Sequence, residues 1–467
     1  MNFKKHKIKK IHFIGLGGIG VSALAKFFKL QGKEVSGSDL VFSETIEECQ
    51  HLGIRFFKGH HKESLSSEID LVVYSDAIPE NNPEREEAKK RGIPQISYAE
   101  MLGELSKTKR TIAISGTNGK STTTAMIGLI LESAGFDPTV IVGSKVKTFP
   151  YGNLRLGEGE WLVVEGDEYR DHMLYLKPEI IVLTNLEEDH LDYFKDLQAI
   201  IKSFEKYLSF LPTGGYLIYN QDDVGCQKLL EQFFLKPYSG IKIVSYALEN
   251  KADYLGKKLS FEAGLTQFEV KEKLSSSLFA YQLKIPGRFN VYNALAAIAC
   301  TRTLGIKHRI IQDTLSRFSG IWRRFERIGK YQGALIISDY GHHPTAIKET
   351  LNGARAFYPN QRIVLVFQPH HRNRTKKLFN DFVKTLSLAD LTIISEIYDV
   401  AGRELKEDES ISSKDLVKAI NKNNVLYGGN LDETKKIIIE KIKENDIVLI
   451  MGAGDIDKIA RELINNR

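Results

Sequence analysis

The sequence predicts an α/β protein of three domains, each organised around a mainly parallel, doubly wound sheet. Three observations carry this. Short apolar runs of strand length alternate with amphipathic, helix-length segments along the chain. Two glycine-rich loops, GLGGIG at 15–20 and GTNGKS at 116–121, each join such a strand to a helix. Several strands end in clustered acidic residues or histidines. That fits parallel sheets, whose ligands gather beyond the carboxyl ends of the strands.

The 467 residues suffice for several domains at roughly 100–200 residues each. The apolar share of 42% and charged share of 27% are those of an ordinary globular protein, so each domain can bury a core. A net charge of +6 is small for this length. It speaks against nucleic-acid binding and suits anionic small molecules. Cys49, Cys226 and Cys300 are scattered and odd in number, so neither a disulfide framework nor a cysteine zinc site is expected. MNFKKHKIKK runs straight into a strand with no apolar leader, and nowhere do 18 apolar residues run together. A cytoplasmic protein with no membrane span, monomeric or homodimeric, is the expectation.

In order, IHFIG (11–15) is a buried strand, followed after its loop by the helix VSALAKFFKLQG (21–32). EVSGSD (34–39) and IDLVVYS (69–75) are further strands, and polar LSKTKR (105–110) closes the first domain, 1–107. TIAIS (111–115) opens the second domain, 108–322, with its own loop and helix. WLVVEGDE (161–168) and EIIVLTNLEEDH (179–190) are strands with acidic ends, and PTGGYLIYNQDD (212–223) reads as turn, strand, turn. Residues 247–285, rich in Thr, Phe, Tyr and Ser, read as antiparallel strands, before PGRFNVYNALAAIACTRTLG (286–305) returns to helix. The third domain, 323–467, carries the strands ALIISDYGHHP (334–344), RIVLVFQPH (362–370), LTIISEIY (391–398) and DIVLIMGAG (446–454).

Gly15, Gly17 and Gly20 form G-x-G-x-x-G, with Gly18 between them. Glycine is needed where backbone turns sharply beside a diphosphate, and the helix N-terminus adds its dipole. Asp39, preceded by Ser38, lies about 20 residues on, where a ribose-binding acid belongs. The motif alone does not separate NAD from a UDP-sugar. The second loop, Gly116-Thr117-Asn118-Gly119-Lys120-Ser121-Thr122, is a shortened phosphate loop, because Ile114 stands where the first glycine of the usual spacing would be. Its amides and Lys120 would cradle phosphates, and Ser121 would meet Mg2+. The strand ends at Glu165, Asp167 and Glu168, and at 187–190, would point toward it. His190 reads equally well as a metal ligand or a structural residue. In the third domain, Asp339, Tyr340, His342 and His343 end one strand, and His370, His371, Arg372 and Arg374 end another. The arginines would repel a metal cation, so the cluster reads as an anion site.

Taken together, GLGGIGVSALA, GTNGKSTTT, NLEEDHLD, GRFNVYNALAA, RRFERIG, DYGHHPTAI, FQPHHRNRT and MGAGDIDKIAREL, in that order, resemble the ATP-dependent Mur ligases of peptidoglycan synthesis. DYGHHP, QPH and GAGDI most resemble the members that add L-alanine to UDP-N-acetylmuramate. The resemblance implies a Rossmann-like UDP-binding domain, a central P-loop ATPase-like domain and a Rossmann-like C-terminal domain. It implies ATP and Mg2+, with Lys120 and Ser121 on the γ-phosphate and metal, and Glu165 and His190 completing the metal shell. Asn118 would lie beside the phosphates, Asn290 and Asn293 near the adenine, and Arg327 and Asp339 against the nucleotide. Ser75 and Ala77 would lie near the uridine. Tyr340, His342, His370 and Arg374 would surround the incoming amino acid, with His342 or His370 as base.

The chain departs from the family pattern at three places. Phe289 stands in a usual GRHN motif. His371 and Arg372 alter the usual QPHRYTRT, which opens L-alanine, glycine or L-serine as the amino acid. Glu205, beside Lys206, falls near the family's carbamylated lysine, and its carboxylate is expected to supply that charge directly. The rival readings are a ligase recycling a murein tripeptide onto the same sugar, an NAD-dependent oxidoreductase, and a non-catalytic UDP-sugar sensor.

Overall fold

A computed structural model of the chain describes residues 8–188, 193–234, 240–262, 264–273, 275, 277–399 and 411–465. It divides into two compact units. One comprises Met1–Lys257, Glu269–Phe279 and Tyr292–Leu315, and the other Lys258–Phe268, Ala280–Val291 and Ser316–Arg467.

The first unit opens with five strands: β1 (Lys10–Ile14), β2 (Glu34–Asp39), β3 (Arg55–Lys58), β4 (Leu71–Tyr74) and β5 (Gln95–Ser97). They pair in parallel in the order β3-β2-β1-β4-β5. The order reverses between β1 and β4, so a crevice forms beyond their carboxyl ends. GLGGIG leaves the sheet there after β1, and Ser75 leaves it after β4. The helix Ile19–Leu30 buries Val21, Ala23, Leu24 and Phe27 at helical spacing against this sheet.

The second sheet holds β6 (Arg110–Ser115), β7 (Thr139–Ile141), β8 (Leu154–Arg155), β9 (Trp161–Gly166), β10 (Ile180–Leu183), β11 (Tyr216–Asn220) and β12 (Lys242–Ala247). Their order is β12-β11-β10-β6-β9-β7-β8. Central β6 pairs in parallel with β9 through Ile114↔Glu165 and with β10 through Leu183↔Ser115. The phosphate loop therefore leaves the sheet between two acidic strand ends. The boundary between the units runs through the next three strands, β13 (Tyr254–Glu262), β14 (Leu265–Glu272) and β15 (Leu278–Leu283). β13 joins β12, the strand that precedes the 247–285 region, in parallel, through Tyr246↔Tyr254 and Ala247↔Leu255.

One continuous apolar cluster runs through both sheets of this unit, from Ile11, Phe13 and Leu24 through Met101 and Leu105 to Met173, Leu183 and Phe204. The helix Tyr98–Ser106 packs closely there. A Cβ at Gly103 would lie 2.7 Å from the Tyr175 carbonyl. A charged clasp adds register. Lys26, 1% exposed, donates to Glu48 Oε2 (2.6 Å), Asn153 Oδ1 (3.0 Å) and the Tyr151 carbonyl (3.1 Å). Lys145 pairs with Glu48 and Glu44 from the other side. Burial pushes the Glu48 carboxyl up, but the Lys145 and Lys26 ammoniums more than offset this and hold it below its ordinary value.

The second unit contains β16 (Glu326–Tyr331), β17 (Ala334–Asp339), β18 (Ile363–Phe367), β19 (Leu391–Ser395), β20 (Val425–Gly429) and β21 (Ile447–Met451). The order is β16-β17-β21-β18-β19-β20, parallel except for β16 against β17. Alternate residues feed two separate cores: Leu365, Phe367, Ile394 and Leu449 on one face, Val364, Val366, Ile393 and Val448 on the other. That is why these strands read as unbroken apolar runs. Among the described residues no helix is long and apolar enough to cross a membrane.

Lys26→Met strands the Asn153 and Tyr151 acceptors. It is expected to lower stability by about 1–3 kcal/mol, seen as an earlier midpoint in urea. An unchanged midpoint would mean that the clasp contributes nothing.

Candidate functional site

The glycines of the first loop are held by contacts. Gly15 has φ +86°, and a Cβ there would meet the Cβ of Ser75 at 2.9 Å. At Gly17 it would lie 3.0 Å from Asp39 Oδ2, and at Gly20 2.6 Å from the Tyr98 ring. The carbonyl of Ser38 accepts the amides of Gly15 (2.9 Å) and Leu16 (3.0 Å), and Asp39 Oδ2 accepts that of Gly17 (2.9 Å). Asp39 thus braces the loop from within. Ser38 is buried, and its hydroxyl donates to Glu84 Oε2 and lies 3.1 Å from His60 Nδ1. Burial raises the Glu84 carboxyl, but His12, His60 and Ser38 together hold it down at about 2. Gly18 is the N-cap of the helix Ile19–Leu30, which no described side chain caps. Ser75 Oγ accepts the Ala77 amide (3.4 Å).

The second loop is locked to the segment after β10. Thr117 N donates to the Asn185 carbonyl (3.0 Å) and Asn118 N to Asn185 Oδ1 (2.9 Å). Asn185 Nδ2 and Thr184 Oγ1 both donate to the Asn118 carbonyl. Gly116, at φ +123°, admits no side chain, because a Cβ would come within 2.6 Å of the Asn185 carbonyl. Gly119, at φ +87°, lies against Asn293, whose Oδ1 accepts Thr123 Oγ1 (3.3 Å). The helix Lys120–Ser133 begins here with no described side-chain cap, which leaves its N-terminal dipole toward the loop.

Lys120 Nζ pairs with both Glu168 oxygens (2.9 and 3.1 Å) and donates to the Gly116 carbonyl (2.6 Å). Burial lowers its pKa, but Glu168, Asp167 and Glu165 outweigh this and raise it, so it stays an ammonium. Ser121 Oγ donates to Glu165 Oε2 (3.0 Å), and the Gly143 amide to Glu165 Oε1. A hydroxyl and a carboxylate side by side are the hard oxygen donors that suit Mg2+. His190 lies outside the described residues. On the helix Leu197–Leu208, Glu205 is half-buried with Oε1 sealed from solvent, while Lys206 is exposed.

Within the second unit, ring contacts gather the predicted histidines at the carboxyl ends of β17 and β18. Tyr340 meets His342 at 5.4 Å, His342 meets His370 at 5.9 Å, and His370 stacks on Tyr398 at 5.7 Å. Arg323 and Arg324 each lie 5.0 Å from the Tyr340 ring. Asp339 is buried and accepts the amides of Phe325 (2.8 Å) and Gly341 (2.7 Å); burial raises its pKa. Asn290 Nδ2 donates to the Pro286 carbonyl (2.7 Å). Arg327 stands apart, over Phe357 and Tyr358 at 5.3 and 5.9 Å. His343 caps the helix Pro344–Phe357. Arg374 lies on the short helix Arg372–Lys377, which follows His371 at φ +66°. Arg372 turns to Asp399 Oδ2 (2.8 Å) and the Ile411 carbonyl (2.5 Å).

Asn185, Tyr98, Arg323 and Tyr398 take part in these contacts without having been singled out in the sequence. Asn185 and Arg323 had a local signal, as the first residues of NLEEDH and RRFERIG, whereas Tyr98 and Tyr398 had none.

The chain matches three family profiles in succession: "Mur ligase family, catalytic domain" over residues 10–110, "Mur ligase middle domain" over 114–301, and "Mur ligase, glutamate ligase domain" over 323–454. A UDP-N-acetylmuramate–L-alanine ligase from a Sulfurihydrogenibium species is 38% identical over 459 residues, 98% of this chain and 97% of that one. The crystal structure of a UDP-N-acetylmuramate–alanine ligase from Thermotoga maritima superposes with a TM-score of 0.84 at 29% identity, covering 98% of both chains. A murein peptide ligase from Psychrobacter arcticus does so with a TM-score of 0.75 at 25% identity, again over 98% of both. These matches extend over nearly the whole chain: the chain belongs to the Mur ligase family.

Proposed function

We infer that the protein joins L-alanine to the lactyl carboxylate of UDP-N-acetylmuramate at the expense of ATP. The observation that carries this is the phosphate loop, with Lys120 and Ser121 set between the carboxylates of Glu168 and Glu165. The similarity to L-alanine ligases along the chain supports the substrate. Residues 1–107 hold the UDP-sugar, 108–322 the ATP, and 323–467 the amino acid.

In the first step a lactyl carboxylate oxygen attacks the γ-phosphorus. The bond to the bridging oxygen breaks, and ADP leaves with the electron pair. Lys120 exchanges Glu168 for phosphate oxygens and spreads their charge, while the loop amides hold the phosphates in line. Ser121 and Glu165, with His190, would hold Mg2+, which supplies further charge neutralisation. In the second step the amine nitrogen attacks the acyl carbon, and the C–O bond to phosphate breaks. The amine proton passes to a base. His342 Nδ1 faces the Tyr340 carbonyl at 3.1 Å. A carbonyl only accepts, so Nδ1 carries the proton and Nε2 is the accepting nitrogen. Arg374 holds the amino-acid carboxylate. Arg372, bound to Asp399 and Ile411, braces the chain instead of lining a pocket, which supports L-alanine despite the altered motif.

Phosphate release measured with UDP-N-acetylmuramate, ATP and Mg2+ should occur with L-alanine and yield a UDP-sugar heavier by one alanine. Release only with glycine or L-serine moves the specificity, since one methyl is worth only about 1–3 kcal/mol. Release only with the tripeptide makes the protein a recycling ligase, and no release makes it a sensor. Lys120→Ala should cut ADP formation about 10²–10³-fold and leave UDP-sugar affinity within about threefold. Equal loss of both would contradict separate sites. Arg374→Ala should raise the KM for L-alanine about tenfold or more, with little change for ATP. An unchanged value removes Arg374 from the pocket.

A further inference from the structure

His172 belongs to no motif and lies in a strained turn. The turn Tyr169–Tyr175 is broken by Arg170 (φ 51°, ψ 29°) and Asp171 (φ 60°, ψ 26°), two successive non-glycine residues in the left-handed region. Such strain persists only where surrounding contacts over-determine it. Here Asp171 accepts Tyr193 OH (2.7 Å) and Ser203 Oγ, the Met173 amide donates to the Asp167 carbonyl (2.8 Å), and the Met173 side chain is fully buried.

The turn delivers the imidazole between two carboxylates. Nε2 lies 3.4 Å from Asp76 Oδ2, and Nδ1 lies 3.5 Å from Asp167 Oδ2. Both ring nitrogens face acceptors, so both carry protons. Burial lowers the pKa of His172, but Asp167 and Asp76 override this and raise it to about 9. The two carboxylates belong to different sites. Asp76 stands between Ser75, which packs on Gly15 of the first loop, and Ala77. Asp167 stands two residues beyond Glu165, which meets Ser121 of the second loop. The helix Tyr98–Ser106 packs on the same turn and brings Tyr98 and Glu100. The Tyr98 ring lies against Gly20 and feels Glu165, Asp167 and Asp76. Further charged or titratable neighbours among the described residues are Tyr169, Arg170 and Asp171 of the turn itself, and Tyr193 and Tyr175.

We propose that His172 is a positioning residue for acyl-phosphate formation: it clasps the sugar-side loop at Asp76 to the nucleotide-side strand end at Asp167, and so sets the approach of the lactyl carboxylate to the γ-phosphate. This rests on the ligase reading above. A carboxylate that must reach a polyphosphate passes between groups that are already negative. An imidazolium shared by two of them fixes their spacing and removes their mutual repulsion.

The test compares wild type, His172→Gln and His172→Lys by steady-state phosphate release from pH 7 to 9.5. Binding of UDP-N-acetylmuramate is measured by calorimetry, thermal midpoints are recorded, and the His172 ring is titrated by NMR with and without Asp76→Asn. Folded His172→Gln should lose about 10–100-fold in kcat, with sugar Kd and ATP KM within about threefold. His172→Lys should recover at least about tenfold of this. As pH rises through about 9 the imidazolium is lost. Wild-type kcat should therefore fall there, while the lysine variant, with its higher pKa, holds its rate. In Asp76→Asn the ring should titrate lower. An unchanged kcat in His172→Gln overturns the positioning role while leaving the ligase reading intact. So does a loss of sugar affinity and thermal midpoint as large as the loss of kcat. Wild type that releases no phosphate with any amino acid, its His172 still titrating near 9, overturns the reaction and the positioning role together, leaving a clasp between loops.

Discussion

The phosphate site depends on the register of three parallel strands. β6 is hydrogen-bonded to β9 and β10 so that Ser115 stands beside Gly166 on one side and Leu183 on the other. Three chains therefore leave the sheet side by side, and their first few residues must share one small volume. Much else follows from that crowding. Residue 116 has to be glycine because the Thr184 hydroxyl and the Asn185 backbone occupy the space a side chain would need. Asn185 can reach both faces of the loop. The helix Lys120–Ser133 buries ten of its 14 residues, so its N-terminus is held against the loop and not free to tilt.

Charge organises the first unit at longer range. Lys120 with Glu168, Lys26 and Lys145 with Glu48, and His172 with Asp76 and Asp167 each join segments distant in sequence. Taking such groups from water is costly, and a buried pair adds little net stability. What it does impose is geometry, since a misplaced partner leaves a charge unanswered. The shared apolar cluster brings the two sheets of this unit together without direction. The ionic contacts supply direction.

The second unit uses a different device. Its sheet is sealed on both faces, so the strand ends are the places left for polar work. His370 stacks there on Tyr398, and His342 meets His370 at a tilt. Arg323 donates to the Gly452 and Gly454 carbonyls and ties the loop after β21 to the chain entering β16. The unusual His371-Arg372 pair is explained locally. His371 takes the left-handed turn into the helix, and Arg372 anchors that turn to Asp399.

The sequence by itself determined what is local: strand, glycine-rich loop and helix in order, the apolar runs of buried parallel strands, and the residue types suited to phosphate and Mg2+ in the second loop. These follow from periodicity and from conformations that few residues adopt, both written within a dozen positions. Direction and partnership were not legible. That β13 joins β12 in parallel, and so continues the central sheet, is written nowhere in its composition. Sequence also leaves unnamed the protein partners of Ser38 and Asp39, whose side chains meet Glu84 and the Gly17 amide. The partner of Lys120 could have been any of the acids at the two strand ends, and the tertiary structure chose Glu168. His172 carries no motif at all. Its position depends on Asp76, almost a hundred places earlier, being brought beside Asp167 by two separate sheets. Only packing decides such meetings, because a side chain's pKa and role are set by neighbours that the chain order does not name.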